Sequence, residues 1–141
     1  MLLPFQSSKV FITDLSESSS YYFPEESQLA AEYYQGALIA LDSLKRMGLK
    51  TKISVYDVGM DSMQLKKTLL EPGLKNADLI IGPVGNSSLK ITCQFSISNK
   101  IWLVSPFSVT AIGNNPNPNY VLANATMRSH CEKIYDYISK N

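Results

Sequence analysis

Apolar positions along the chain follow two alternating rhythms. Ala30, Tyr33, Tyr34, Ala37, Leu38, Leu41 and Leu44 recur at three- and four-residue spacing, which predicts a helix on one face of a sheet. Pro24, Glu25 and Glu26 suit its first turn, where proline is tolerated and acids favour the dipole, and Gly48 is a natural stop. Lys52 to Val58 then reads as a strand with Ile53 and Val55 on one face. Asp61 or Ser62 caps a short helix through Leu70, ended by Pro72-Gly73. Asp78 to Gly82 is a short, continuously apolar strand of the kind found in sheets covered on both faces. A helix over Asn86 to Ser98, a buried strand over Ile101 to Val104 and a last strand over Tyr120 to Asn124 follow. Thr126 caps a final helix whose apolar stripe is Cys131, Ile134, Tyr135 and Ile138.

The two ends of this pattern are less regular. Met1 to Phe5 reads as the tail of a buried strand stopping at Pro4, with no basic region or long apolar stretch of a signal peptide. The expectation is a chain that begins just inside a mature domain. Gln6 to Ser27 is polar and serine-rich, long for a loop in a compact domain, and so expected to be functional or disordered. Asn114 to Asn119, rich in Asn and Pro, is a second loop.

Strand-helix alternation predicts an α/β fold, a three-layer doubly wound sandwich around a parallel five-stranded sheet of order 2-1-3-4-5. Ligands in such sheets bind beyond the carboxyl ends of the strands. That rule selects Phe5-Gln6, Asp57 to Gly59, Pro83 to Ser88 and Ser105 to Thr110. It also separates the two cysteines. With this order, the helices carrying Cys93 and Cys131 lie on opposite faces of the sheet, too far apart for a disulfide, and two reduced thiols are expected.

Composition narrows the chemistry. The chain has 141 residues, 13 basic and 12 acidic, for a net charge of +1. One domain fits this length, and no nucleic-acid partner is expected from so balanced a charge. No apolar run reaches the roughly 18 residues of a membrane-spanning helix. With a single His, His130, the chain cannot carry an HExxH zinc site, and any triad would rest on that residue alone, without a nucleophile elbow. Neither a CxxC pair nor a dinucleotide or P-loop glycine motif is present. No metal, no cofactor and no catalytic residue are expected.

Leu2-Leu3-Pro4-Phe5, Tyr33 to Leu41, Val55-Tyr56-Asp57, Leu79 to Pro83 and Ile101 to Pro106, in this order, resemble the amino-terminal lobe of type I periplasmic-binding proteins, the extracellular ligand-binding receptor family. Versions from Bacteroidetes-type bacteria look most similar. The resemblance covers nearly the whole chain apart from the serine-rich loop. It implies one lobe, residues 1–141, of a two-lobe clamp that takes a small molecule such as an amino acid, in the periplasm or cell envelope. It also implies a second lobe as partner, a transporter permease or the cell wall as further partners, and weak self-association of an isolated lobe.

In amino-acid-binding relatives the turns after Gly82-Pro83 and Ser105-Pro106 hold the ligand. On this chain they correspond to Asn86, Ser87 and Ser88, and to Ser105, Phe107, Ser108 and Thr110. The first three open a helix whose free N–H groups favour an anion, or one of them simply caps it. Phe107 and Val109 depart from the small and hydroxyl residues usual at the second turn, which favours a larger ligand, or a module of the same fold without a small-molecule site. Tyr21, Tyr22 and Phe23 would stack on a ligand or anchor the long loop. Asp57 would face a ligand ammonium or hydrogen-bond its own loop. Trp102 reads as core.

Overall fold

The computed structural model describes residues 1–9, 11–12, 21–22, 24–59, 61–82, 86–108 and 117–140. It is a mixed α/β chain with small parallel sheets, and it divides into two compact units, Met1–Thr68 and Leu69–Asn141.

In the first unit, β1 (Leu2–Leu3) pairs in parallel with β4 (Tyr56–Asp57), with Leu2 opposite Tyr56 and Leu3 opposite Asp57. The Tyr56 and Val58 amides donate to the Met1 and Leu3 carbonyls at 2.9 and 3.1 Å. Leu2 and Leu3 are fully buried. Ser7–Lys9 form a single 3₁₀ turn, and β2 (Phe11–Ile12) pairs antiparallel with β3 (Tyr21–Tyr22). The strand expected over Lys52 to Val58 contracts to β4, and Ile53 is 42% exposed. Its partner among the described residues, β1, is two residues long, so the remaining residues have no described ladder to join.

Helix α1 (Glu25–Arg46) starts after the buried Pro24 and ends as the pattern predicts. Gly48 adopts φ 94°, its amide donates to Lys45 O at 3.0 Å, and the Leu49 amide donates to Leu44 O at 3.0 Å. This pair of bonds is the Schellman closure that a glycine permits. Asp61, not Ser62, caps α2 (Ser62–Leu69), its Oδ1 accepting from the Met63 amide at 3.0 Å.

In the second unit, Pro72 does not merely end a helix. It opens the one-turn α3 (Pro72–Lys75), at a first-turn position where its missing N–H costs nothing. Strands β5 (Leu79–Ile81), β6 (Trp102–Ser105) and β7 (Tyr120–Leu122) form a parallel sheet in that order. Helix α4 (Asn86–Asn99) connects β5 to β6 and packs on β6. Its inner face is Ser88, Leu89, Thr92, Cys93 and Ser96, set against Ile80, Leu103 and Ser105. Thr92 and Ser96 on this face are satisfied locally. Thr92 Oγ1 donates to Ser88 O at 2.9 Å, Ser96 Oγ to Ile101 O at 2.5 Å, and Asn117 Nδ2 to Ser96 Oγ at 3.1 Å.

The other face of this sheet departs from expectation. Leu79, Trp102 and Val121 point there by strand alternation, and they are 47%, 51% and 42% exposed. Trp102 is therefore not core. Helix α5 (Met127–Lys140) is capped as predicted, the Ser129 amide donating to Thr126 Oγ1 at 3.1 Å, but no residue of it is buried. Its stripe of Cys131, Ile134, Tyr135 and Ile138 is exposed, so it covers no sheet face. Cys93 and Cys131 are free thiols, the first buried and the second exposed.

Candidate functional site

The carboxyl edge of the three-stranded sheet gathers three hydroxyls. Ser105 ends β6 fully buried, because it follows Leu103 on the face that α4 covers. Its Oγ accepts the Ser108 amide at 3.4 Å, which curls the chain tightly past Pro106. The Tyr120 side chain shares that face and brings its phenol to Ser105 and Ser108. The phenol oxygen is enclosed, yet neither serine meets it with hydrogen-bonding geometry. Burial raises the Tyr120 pKa, partly offset by these serines, so the phenol stays protonated and remains a donor at neutral pH.

Around this cluster the predicted residues are distributed unevenly. Ser88 is buried in the first turn of α4. Asn86 and Ser87 open the same helix, and their side chains lie outside the described set. Phe107 is half-buried beside Ser108. Thr110 falls outside the described residues, as do Pro83, Val109 and Phe23. Tyr21 and Tyr22 form β3, where they pair with Ile12 and Phe11, and their side chains likewise lie outside the described set.

Asp57 belongs to the first unit and works there as a clasp. Its Oδ1 accepts the Gln6 and Gly59 amides at 3.1 and 3.0 Å, and its Oδ2 accepts the Ser7 amide and hydroxyl at 2.8 and 2.7 Å. Partial burial pushes its carboxyl upward, but the Ser7, Gly59 and Gln6 donors outweigh that, and its pKa is lowered. With four donors on it, the carboxylate holds the turns after β1 and β4 together, the loop bonding that one of the two readings expects.

An open groove of about 770 Å³ also lies in the first unit, between the carboxyl half of α1 and residues 48–55. Tyr34, Leu38, Leu41 and Ile53 line it, with Asp42 and Lys45 among its polar groups. It adjoins the residues entering β4, not those leaving it. Among the described residues no cluster of three or more His, Cys, Asp or Glu is placed to hold a metal, and no helix is long and apolar enough to cross a membrane.

Tyr120 is the residue that pattern reading missed. It begins a strand, so the carboxyl-edge rule passes over it, and only the length of its side chain along the sheet brings the phenol to Ser105. Comparison with family models, with curated proteins and with solved structures gives no match for this chain.

Proposed function

We propose that this chain is a non-catalytic ligand-binding lobe, taking a small, amino-acid-like molecule at the carboxyl edge of its parallel strands. The observation that carries this reading is the hydroxyl cluster of Ser105, Ser108 and Tyr120, with an enclosed phenol donor that lacks a hydrogen-bond acceptor. Such a group is costly unless something supplies the acceptor. The adjoining first turn of α4, with Ser88 buried in it, offers backbone donors suited to a carboxylate.

The five-stranded sheet of order 2-1-3-4-5 belongs to the same proposal. Strands β4-β1 and β5-β6-β7 are consecutive pieces of that order, and joining them takes a β1–β5 pairing. Closure would cover Leu79, Trp102 and Val121 with helices, which accounts for the apolar stripes on that face and on α5. In this reading the lobe works outside the cytoplasm, in the periplasm or cell envelope, with a second lobe closing on the ligand and a transporter permease or the cell wall downstream. The same uncovered apolar groups favour the second reading, an interaction or cell-wall-associated module of the same fold that self-associates weakly.

The test is a thermal-shift screen of the chain and of Tyr120→Phe against amino acids, small peptides, sugars and peptidoglycan fragments. A ligand at 100 times its dissociation constant adds about 2.7 kcal/mol. The proposal requires a hit on the wild type that weakens in Tyr120→Phe. No hit in the whole set favours the interaction module.

A further inference from the structure

The open groove of the first unit is built by a reversal of the chain. The Gly48 closure ends α1 and sends residues 48–55 back along the helix, so both walls come from one stretch of sequence. Tyr34, Leu38, Leu41 and Lys45 line it from one face of α1, recurring at helical spacing. Leu49, Ile53 and Val55 line it from the returning segment. Leu38, Leu49 and Ile53 remain 47%, 48% and 42% exposed there, so neither wall seals the other. From Tyr34 to Lys45 the helix advances about 16 Å, which gives the groove an elongated apolar floor.

Charge gathers at one end of that floor. Lys45 and Lys50 stand on either side of the Gly48 turn, and both are exposed. Asp42, the acidic residue in the lining, is held by Arg46 at 2.6 Å, whereas no carboxylate of the described residues pairs with either lysine. Lys45 also suits the negative carboxyl end of α1, but Lys50 lies beyond the helix. The last carbonyls, those of Ser43, Leu44 and Lys45, are already taken by the Met47, Leu49 and Gly48 amides. The groove thus offers an aliphatic floor with two unpaired ammonium groups at one mouth.

We infer that this groove takes a single-chain carboxylate of fatty-acid type, its chain along Leu38, Leu41 and Ile53 and its carboxylate at Lys45 and Lys50. The unpaired cations select an anionic head, and alkyl carbon buried against the exposed aliphatic side chains supplies affinity. An amino acid or a sugar would leave the floor in water, and a cationic amphiphile would set like charges together. At about 770 Å³ the groove lies in the size range of small-molecule sites. It adjoins the entry to β4, at the opposite end of that strand from the turns clasped by Asp57, and all its residues belong to the first unit. The site is therefore separate from the Ser105 cluster, and either can fail without the other.

The experiment uses the full chain with decanoate, acetate and decyltrimethylammonium, the two amphiphiles below their micelle concentrations, followed by ligand-observed NMR titration and thermal melting. Decanoate should bind, with acetate and decyltrimethylammonium weaker by about tenfold or more. Lys45→Gln combined with Lys50→Gln, both at exposed positions, should weaken decanoate about tenfold and leave the unliganded melting temperature unchanged. Leu38→Asp, which sets a carboxylate in the floor, should abolish binding, while Tyr120→Phe should bind decanoate as wild type does. Equal binding of the cation and the anion overturns the site, as does decanoate affinity unchanged in the lysine double variant, or no decanoate binding. Cosedimentation with phosphatidylglycerol vesicles without binding of monomeric decanoate also overturns it, and points to a membrane surface instead. An amino-acid screen without hits, alongside decanoate binding controlled by the lysine pair, would remove the Ser105 reading and keep this one.

Discussion

Asp57 offers the sharpest test of how the carboxyl edge of the first unit is held. Replacing it with Ala removes an acceptor from three amides and one hydroxyl, at 2.7 to 3.1 Å. The Gln6 amide belongs to a residue that is 5% exposed, so its loss leaves a donor without water. That bond, to a charged acceptor, is worth about 2 kcal/mol, and the Ser7 and Gly59 donors, which water can reach, add about 1 kcal/mol together. The expected loss for Asp57→Ala is thus about 3 kcal/mol. Asp57→Asn should cost about 1 kcal/mol. Its carbonyl can still serve Gln6 and Gly59, but its amide group would face the Ser7 N–H.

The pH dependence separates the two variants further. The folded pKa of Asp57 is lowered from 3.8, so its contribution is complete above the unfolded value and disappears as pH falls through the lower folded value. Asn has no such titration. Urea denaturation at neutral pH and at steps from pH 5 to pH 2 measures both effects. A loss below about 0.5 kcal/mol for Asp57→Ala, or an acid profile of Asp57→Asn that parallels wild type, would refute the clasp.

Other outcomes follow from single positions. Lys100 is exposed at φ 55° after α4, with its amide on Ile97 O and the Ile101 amide on Ser96 O, so Lys100→Gly should raise stability by about 1 kcal/mol in the same denaturation assay. Gly48 holds the equivalent place after α1 with open space around it, and Gly48→Ala should lower stability by about 1 kcal/mol through backbone strain alone. In native protein a thiol reagent should modify Cys131 quickly and Cys93 only after unfolding; equal rates would contradict the burial of Cys93. Trp102 is the sole tryptophan, so its emission reports the uncovered sheet face directly. Quencher-accessible, red-shifted emission is the expected result for the face as described, and shielded emission would support the proposed five-stranded closure.

Local pattern placed the helices and the parallel strands, but not the strands' lengths or which of their faces are covered. Gly48 and Thr126 end or start their helices as read, and Asp61 is the one of two offered caps that starts α2, because a cap acts through bonds to residues two to five positions away. Strand length depends on a neighbour that the local sequence does not contain. Lys52 to Val58 has a strand's composition, yet only Tyr56 and Asp57 find a partner in β1. Trp102 and Leu79 read as core because an apolar run is the same whether one face of a sheet is covered or two. At the candidate site, Ser105 and Ser108 were reachable through the carboxyl-edge rule. Tyr120 was not, since nothing in a one-dimensional pattern marks a polar atom as enclosed and unsatisfied.

The inner face of α4 has a mechanical consequence. Interfaces made of aliphatic side chains fix a helix by interlocking shape alone, without directional bonds. Here Ser96 is pegged to Ile101 O and to Asn117, while Asn117 also reaches Cys93 Sγ at 3.4 Å. Those pegs set both the azimuth and the axial position of the helix on β6. A force applied at the first turn of α4 would therefore move the helix, the start of β6 and the segment leading into β7 as one lever.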